Sequence, residues 1–186
     1  MTQALLLIDL QNDYFPGGSM ELVGSPEAGL QAGRLLRAFR QAGQPVLHIQ
    51  HLATRPGASF FLPGTPGAEL HSQVMPVPGE PVFQKHFPSA FRGTPLLEHL
   101  RSLGITQLVI AGMMTHMCID TTVRAAFDLG FQCRLAQDAC ATRHLVRNGT
   151  TIPAAQVQAA FLAALDGTFA QVMSTEELLA ESGAQL

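Results

Sequence analysis

Residues 4–9 read Ala-Leu-Leu-Leu-Ile-Asp, an uninterrupted apolar run closed by an acidic residue. Such a run is typical of a strand that is buried on both faces of a parallel sheet, because a half-exposed strand would alternate apolar and polar side chains. Similar runs along the chain predict five more strands. They lie at Pro45–Ile49, Pro81–Phe83, Gln107–Ala111, Phe131–Ala136 and Thr168–Met173.

Helical patterns separate most of these strands. Apolar residues recur at helical spacing, for example at Leu96, Leu97 and Leu100. A glycine, which can adopt the left-handed conformation of a helix end, follows each of four apolar helical stretches. The alternation of strands and helices predicts an α/β fold with right-handed crossovers.

The composition indicates a globular protein that acts on small molecules. The 186 residues are 47% apolar and 13% charged, enough for one well-filled core, and we expect a single domain over residues 1–186. The net charge of −3 argues against a protein that binds nucleic acids or anionic membranes, because such a protein carries a basic surface. No apolar run has the length of a membrane helix, and the N-terminus has no basic region before its first apolar run, so a cytoplasmic location is predicted.

Three reactive side chains follow strands at the edge where open α/β sheets bind ligands. Asp9 ends the first predicted strand, Lys85 follows the third, and Cys118 lies just beyond the fourth. Lys85 is the only lysine of the chain. A carboxylate, an ammonium and a thiol together supply the base, the activator and the nucleophile of acyl transfer.

The position of Cys118 suggests an activated thiol. Thr115 is a predicted N-cap, which would place Cys118 in the first turn of a helix, where the dipole and free N–H groups lower a thiol pKa and can hold an oxyanion. Simpler interpretations remain open: Cys118 as a small buried apolar residue, Lys85 on the surface and Asp9 as a loop cap. The odd number of cysteines, with no C-x-x-C pair, predicts free thiols.

Longer motifs surround these residues. Asp9-Leu-Gln-Asn-Asp13 follows the first strand, Ser89-Ala-Phe91 follows Lys85, and Ala111-Gly-Met-Met-Thr-His-Met-Cys118 leads to Asp120. Together with Asp138-Ala-Cys-Ala-Thr142, they resemble the isochorismatase-like cysteine hydrolases, a superfamily that includes nicotinamidases and N-carbamoylsarcosine amidases. The resemblance extends over nearly the whole chain.

The resemblance implies both a fold and a chemistry. The implied fold is a three-layer α/β/α Rossmann-like sandwich with a six-stranded, mainly parallel sheet. The implied catalytic triad is Asp9, Lys85 and Cys118, which would hydrolyse an amide-type C–N bond through a thioester. The resemblance further implies a cis peptide bond between Met113 and Met114, and an oxyanion hole formed by the backbone N–H groups of Met114 and Cys118.

The sequence departs from the nicotinamidase branch at its metal site. That branch carries Asp-x-His after the second strand, whereas this chain reads His48-Ile-Gln-His51. We therefore expect no metal, and the absence of G-x-G-x-x-G and Walker motifs argues against a nucleotide cofactor. The alternative is a metal-containing nicotinamidase in which His71 joins His48 and His51. The intact Cys118 favours amide-type substrates over vinyl ethers, whose cleavage in this superfamily does not depend on the cysteine.

Aromatic residues near the motifs are predicted to line the substrate pocket. They are Phe15, His116 and either Phe61 or its neighbour Phe60. Each phenylalanine could equally fill the core or an interface. Phe60 and Phe61 belong to Thr54–Gly79, a long loop rich in glycine and proline that is typical of a substrate lid or an interface arm. This loop and the C-terminal segment Glu176–Leu186 would contribute to the homodimer or higher homo-oligomer that the resemblance implies.

A different class of function also fits the scaffold. A thiol redox or binding protein could oxidise Cys118 to a sulfenic acid if the pKa of the thiol were low. Such a protein would lose hydrolysis and keep a peroxide-sensitive Cys118, whereas a hydrolase needs all three candidate side chains.

Overall fold

A parallel sheet forms the centre of the protein in the computed structural model, which describes residues 2–183. The two ends of the predicted 1–186 domain, and with them the last three residues of Glu176–Leu186, lie outside the described residues. The strands are β1 (Gln3–Ile8), β2 (Val46–His51), β3 (Val82–Lys85), β4 (Gln107–Met113), β5 (Gln132–Ala141), β6 (Leu145–Arg147), β7 (Thr150–Ile152) and β8 (Gln171–Met173).

Six of these strands form the central sheet, in the order β3-β2-β1-β4-β5-β8. All five neighbouring pairs in it are parallel, which confirms the predicted six-stranded sheet. Strands β6 and β7 pair with each other as a separate antiparallel hairpin.

The α-helices cover both faces of the sheet. They are α1 (Ser25–Gln41), α2 (Leu96–Ser102), α3 (Asp120–Asp128), α4 (Ala154–Leu165) and α5 (Thr175–Gly183). Alternate residues of β1 point to opposite faces, so Leu5 and Leu7 join one core with α1 and α5, while Leu6 and Ile8 join a second core with α2, α3 and α4. The protein is therefore an α/β/α sandwich, and β1 is buried along its full length, as its apolar run predicts. No helix within residues 2–183 is long and apolar enough to cross a membrane.

The strand boundaries differ from the predictions at the C-terminal end of the sheet. Strand β8 begins at Gln171 instead of Thr168, because Gly167 and Ala170 close a turn with a hydrogen bond. Strand β5 continues to Ala141, five residues past the predicted end. The β6–β7 hairpin was not predicted because its strands, three residues each, are shorter than the runs that signal a strand. The four predicted helix-ending glycines, Gly43, Gly104, Gly130 and Gly167, all have positive φ.

Gly112 brings β4 close against β1. Its φ is 138°, and a Cβ atom there would overlap the carbonyl group of Ile8. Only glycine combines this backbone conformation with this close approach. Since Ile8 and Gly112 are in register, Asp9 and Met113 follow them at the same edge of the sheet.

Cys118 lies in a π-helical turn, Thr115–Ile119, that leads directly into α3. The prediction of Thr115 as N-cap is wrong. Met114 occupies that position, and the Thr115 hydroxyl donates to Gln158 Oε1 at 2.7 Å instead of capping the turn. The turn is wide because the Ile119 N–H bonds to the Met114 carbonyl, five residues back.

Candidate active site

The side chains of Asp9, Lys85 and Cys118 converge at the carboxyl ends of β1, β3 and β4. Lys85 Nζ lies 2.7 Å from Asp9 Oδ2 and 3.2 Å from Cys118 Sγ. The side chains of Asp9 and Lys85 have no exposed surface, and Cys118 is buried as well. Lys85 is thus not a surface residue, and the structure joins the three residues that the sequence places at separate strand ends.

The backbone at Asp9 orients its carboxylate. Its φ of 53° lies in the left-handed region, which few non-glycine residues adopt. The Asp9 N–H donates to the carbonyl of Ile49 at 3.0 Å, and the Asp9 carbonyl accepts from the Gln11 N–H at 2.9 Å. Asp9 Oδ1 is buried and has no hydrogen-bond partner within the described part of the chain. A buried carboxylate oxygen left unpaired beside a thiol is available to accept a proton.

Lys85 has a third partner. Its Nζ lies 2.9 Å from His51 Nδ1, so the three N–H donors of the ammonium meet the oxygen of Asp9, the nitrogen of His51 and the sulfur of Cys118. Burial, followed by the charge of Lys85, lowers the pKa of His51 to about 4. At neutral pH His51 is therefore uncharged and can accept a hydrogen bond from Lys85.

The charges in the cluster determine the protonation of Lys85 and Cys118. Burial alone would lower the pKa of Lys85, but its interactions with Asp9 and Cys118, of which the charge of Asp9 is the largest, outweigh burial and raise it. Burial, followed by the negative charge of Asp9, raises the pKa of the Cys118 thiol. The prediction of a lowered thiol pKa is therefore wrong, because desolvation outweighs the contribution of Lys85. The resting site holds an ammonium and a protonated thiol.

A cavity of about 260 Å³ opens onto the cluster. Cys118 and His51 form part of its wall. Most of the remaining wall is aromatic or apolar and includes Tyr14, Phe60, Phe61, Phe87, Met114 and Met117. The wall also includes Thr54, Arg55 and His86, and the size and mostly apolar lining of the cavity fit a small ligand.

Of the three predicted pocket residues, only Phe61 lines this cavity. Phe15 lies on a neighbouring groove, where its ring stacks on that of His71 with 3.6 Å between centroids. His116 is not part of the cavity wall, since its Nδ1 bonds to the Thr142 hydroxyl at 2.6 Å. Neither Phe15 nor His116 lines this cavity, and their contact with a substrate stays a prediction.

The long loop Thr54–Gly79 supplies one wall of the cavity. The Phe61 N–H donates to Asp13 Oδ2 at 2.6 Å, and the Phe61 carbonyl accepts from the Ala53 N–H at 2.9 Å. Gln11 Nε2 donates to the Ala68 carbonyl at 2.7 Å. The bonds of Asp13 and Gln11 pack the loop against the segment that follows β1, and the bond of Ala53 packs it against the segment that follows β2. The proposed contribution of this loop to a homo-oligomer stays a prediction.

The three histidines considered as metal ligands do not come together. His48 and His51 are three residues apart on β2 and so point to opposite faces. His48 Nε2 bonds to Glu80 at 2.9 Å, and His71 stacks on Phe15.

A different set could hold a metal ion. Ligand atoms of Asp9, His51 and Cys118 lie within 4.8 Å of one another. Lys85 Nζ already donates to all three residues, and a cation there would meet the charge of this ammonium. The donor set therefore fits an ammonium better than a metal.

The Met113–Met114 peptide bond is cis, which confirms this implication of the resemblance. Met114 lines the cavity together with Cys118. Its N–H has no hydrogen-bond acceptor among residues 2–183. A free N–H beside a nucleophile is the donor that an oxyanion hole requires.

The sequence profile of the isochorismatase domain matches residues 3–177. The chain belongs to the isochorismatase family. The isochorismatase family protein YddQ of Bacillus subtilis is 47% identical over 179 residues, which cover 96% of this chain and 99% of that protein. A crystal structure of an isochorismatase hydrolase from Oleispira antarctica superposes with a TM-score of 0.93 at 52% identity, covering 96% of both chains. A more distant relative is the ureidoacrylate amidohydrolase RutB of Variovorax paradoxus, 28% identical over 73% of this chain and 67% of that protein.

Sequence reasoning on this isochorismatase-family chain did not foresee the role of His51. His51 is the last residue of β2, between the strands that carry Asp9 and Lys85. The rule that selects residues at the carboxyl ends of parallel strands would have found it. Tyr14 was also missed, since a tyrosine in a short turn after a strand has no distinctive pattern.

Proposed function

We propose that this isochorismatase-family hydrolase is a metal-independent cysteine amidohydrolase that cleaves a C–N bond of a small molecule. The observation that carries the proposal is the Lys85 ammonium, which joins the carboxylate of Asp9 and the thiol of Cys118 beside a largely apolar cavity. The amidohydrolase activity in the name of the RutB relative supports an amide-type substrate. The size and mostly apolar lining of the cavity favour a small one.

In the first half of the reaction, Asp9 Oδ1 takes the proton of Cys118 while the sulfur attacks the carbonyl carbon of the amide. The N–H groups of Met114 and Cys118 hold the oxyanion of the tetrahedral intermediate, each contributing about 3 kcal/mol. Asp9 then gives its proton to the leaving nitrogen, the C–N bond breaks, and a thioester remains on Cys118.

In the second half, Asp9 takes a proton from water as the water oxygen attacks the thioester carbonyl. The intermediate collapses, releases the acid and expels the thiolate of Cys118, which recovers a proton from Asp9. Lys85 keeps its charge throughout and stabilises the anion on Asp9 or on Cys118 in turn. Burial raises the pKa of the Cys118 thiol, so the first step includes removal of its proton, for which Asp9 Oδ1 is the acceptor.

The redox alternative is disfavoured by the same site. Oxidation to a sulfenic acid starts from a thiolate, and susceptibility follows thiolate character and exposure. Cys118 is buried, and burial raises the pKa of its thiol. A redox protein also needs only the thiol, and not an acid and a base beside it.

The test is release of ammonia from a panel of primary amides and ureido compounds, nicotinamide included. The matched pair of variants is Cys118→Ala and Cys133→Ala, since both cysteines are buried and only Cys118 contacts Lys85. We expect turnover of at least one compound by the wild type and by Cys133→Ala, none by Cys118→Ala, and an acyl adduct on Cys118 by mass spectrometry. Undiminished turnover by Cys118→Ala would exclude the thioester mechanism.

A further inference from the structure

The contact with Lys85 determines which nitrogen of His51 carries a hydrogen. An ammonium can only donate, so His51 Nδ1, 2.9 Å from Lys85 Nζ, is an acceptor and carries no hydrogen. Burial keeps His51 neutral at physiological pH, and a neutral imidazole carries one hydrogen. That hydrogen is therefore on Nε2.

The Nε2–H group is free to bind a ligand. His51 lines the cavity that opens onto Cys118. Within residues 2–183, Nε2 makes no hydrogen bond, and it is not among the polar atoms that the protein encloses without a partner. The cluster thus presents an N–H donor of fixed tautomer within the same cavity as the nucleophile.

Among the other polar groups of the cavity wall, the guanidinium of Arg55 also only donates but belongs to an exposed residue, whereas the hydroxyl of Tyr14 differs from this donor in kind. A tyrosine hydroxyl both donates and accepts, so it accommodates either kind of polar atom on a ligand. His51 Nε2–H can only donate while Lys85 occupies Nδ1. A ligand with a donor at that point would leave two hydrogens facing each other, and a ligand with a C–H would leave the donor unpaired.

We propose that His51 Nε2–H is a specificity determinant of this hydrolase. It selects amides whose acyl part carries a hydrogen-bond acceptor without a hydrogen, such as a ring nitrogen or a carbonyl oxygen, over amides of the same shape that lack one. The inference rests on the proposed function for its substrates. It adds to that function a requirement on the acyl part of the substrate.

The experiment compares benzamide with its three ring-nitrogen analogues: picolinamide, nicotinamide and isonicotinamide. These four amides share one shape, and the acceptor moves around the ring. For the isomer whose nitrogen meets Nε2, we expect the wild-type kcat/KM to exceed that for benzamide roughly tenfold, the value of one hydrogen bond. Equal kcat/KM for all four amides would overturn the inference.

Two substitutions separate the functions of the two ring nitrogens. The side chain of His51→Asn can place an acceptor near the position of Nδ1 but has nothing at Nε2, whereas His51→Gln can place an amide N–H near Nε2. The ratio between the preferred isomer and benzamide should fall to about one in His51→Asn and persist in His51→Gln, whatever the change in overall rate. A ratio that persists in His51→Asn contradicts the proposal, because a purely structural role of His51 would lower the rates for all four amides alike.

Two further measurements do not depend on turnover. Dissociation constants of the four amides for Cys118→Ala, measured by ligand-observed NMR, should show the same preference even if none of them is hydrolysed. If the wild type hydrolyses none of the four amides, they are not substrates of the proposed function. The dissociation constants would still measure the specificity. The ¹⁵N shifts of His51 should report a hydrogen on Nε2 at neutral pH, and a hydrogen on Nδ1 would refute the assignment.

Discussion

Lys85 and Asp9 form a 2.7 Å ion pair in which neither side chain has exposed surface. The pair joins the ends of β1 and β3, which are not neighbours because β2 lies between them. Moving two charges out of water is costly, so a buried pair contributes little net stability compared with apolar residues of the same volume. The pair therefore serves the chemistry of the site more than the stability of the fold. Removal of one partner leaves the other as an unpaired buried charge.

Replacement of the lysine should therefore cost both stability and activity. Lys85→Met keeps most of the volume and leaves the carboxylate of Asp9 without its ammonium. We expect the free energy of unfolding in urea to fall by about 3–5 kcal/mol and turnover to be lost. The double variant Asp9→Leu/Lys85→Met should recover most of the stability and none of the activity.

The control for this prediction is the exposed ion pair between Arg34 and Glu176, 2.6 Å apart. Arg34→Ala should change the free energy of unfolding by at most about 1 kcal/mol, because solvent screens the pair. Equal losses for Lys85→Met and Arg34→Ala would show that the buried charge of Asp9 is neutralised by another route.

Cys118 should react slowly with iodoacetamide in the free protein at neutral pH. Burial and the charge of Asp9 raise the pKa of its thiol, so the thiolate fraction is far below that of a free cysteine of pKa about 8.5. The rate of labelling at this residue is followed by mass spectrometry. It should still rise with pH at pH values where the labelling rate of a short peptide of the same local sequence has become constant. A rate that levels off below pH 7 would instead indicate a stable thiolate and contradict the raised pKa.

Gly112→Ala should destabilise the protein strongly. The new methyl group would overlap the carbonyl of Ile8, at a φ that L-residues rarely adopt. We expect a loss of at least ~3 kcal/mol in unfolding free energy, from backbone strain and displacement of β4. Gly43→Ala is the matched control, since Gly43 also has positive φ but open space around it, and should cost only about 1–2 kcal/mol. Similar losses for the two variants would mean that β4 can move away from β1.

Glu80 should make stability depend on acid pH. Burial alone would raise the pKa of Glu80, but hydrogen bonds from Arg40, His48 and the Val77 N–H lower it to about 2. Burial lowers the pKa of His48, so this histidine donates as a neutral ring and does not form an ion pair. A depressed carboxyl pKa stabilises the fold above the ordinary value of 4.5, and the stabilisation is lost as the pH falls towards 2.

The measurement is the free energy of unfolding as a function of pH for the wild type and Glu80→Gln. The substitution should flatten the curve between about pH 4.5 and about pH 2. Glu176→Gln, at an exposed carboxylate, should leave the curve close to that of the wild type. An unchanged slope in Glu80→Gln would assign the acid sensitivity to other groups.

Local patterns in the sequence were sufficient to predict the strands of the central sheet. The apolar runs that predict β1 and β4 are buried on both faces, and the glycines after helical stretches adopt the left-handed conformation they were expected to have. These features depend on side-chain periodicity and on backbone freedom, both of which are local. The same logic placed Asp9, Lys85 and Cys118 at one edge, because parallel strands all end on the same side.

The state of the site depends instead on contacts between distant parts of the chain. His51 accepts a hydrogen bond from Lys85, and the ring of Phe15 stacks on that of His71. Burial raises the pKa of the Cys118 thiol, whereas a helix terminus alone would lower it. Desolvation and hydrogen bonding depend on what surrounds an atom in space, and residues far apart in the chain supply those surroundings. A strand end predicts where a reactive group lies, but its proton and its partners follow from the packing of the whole fold.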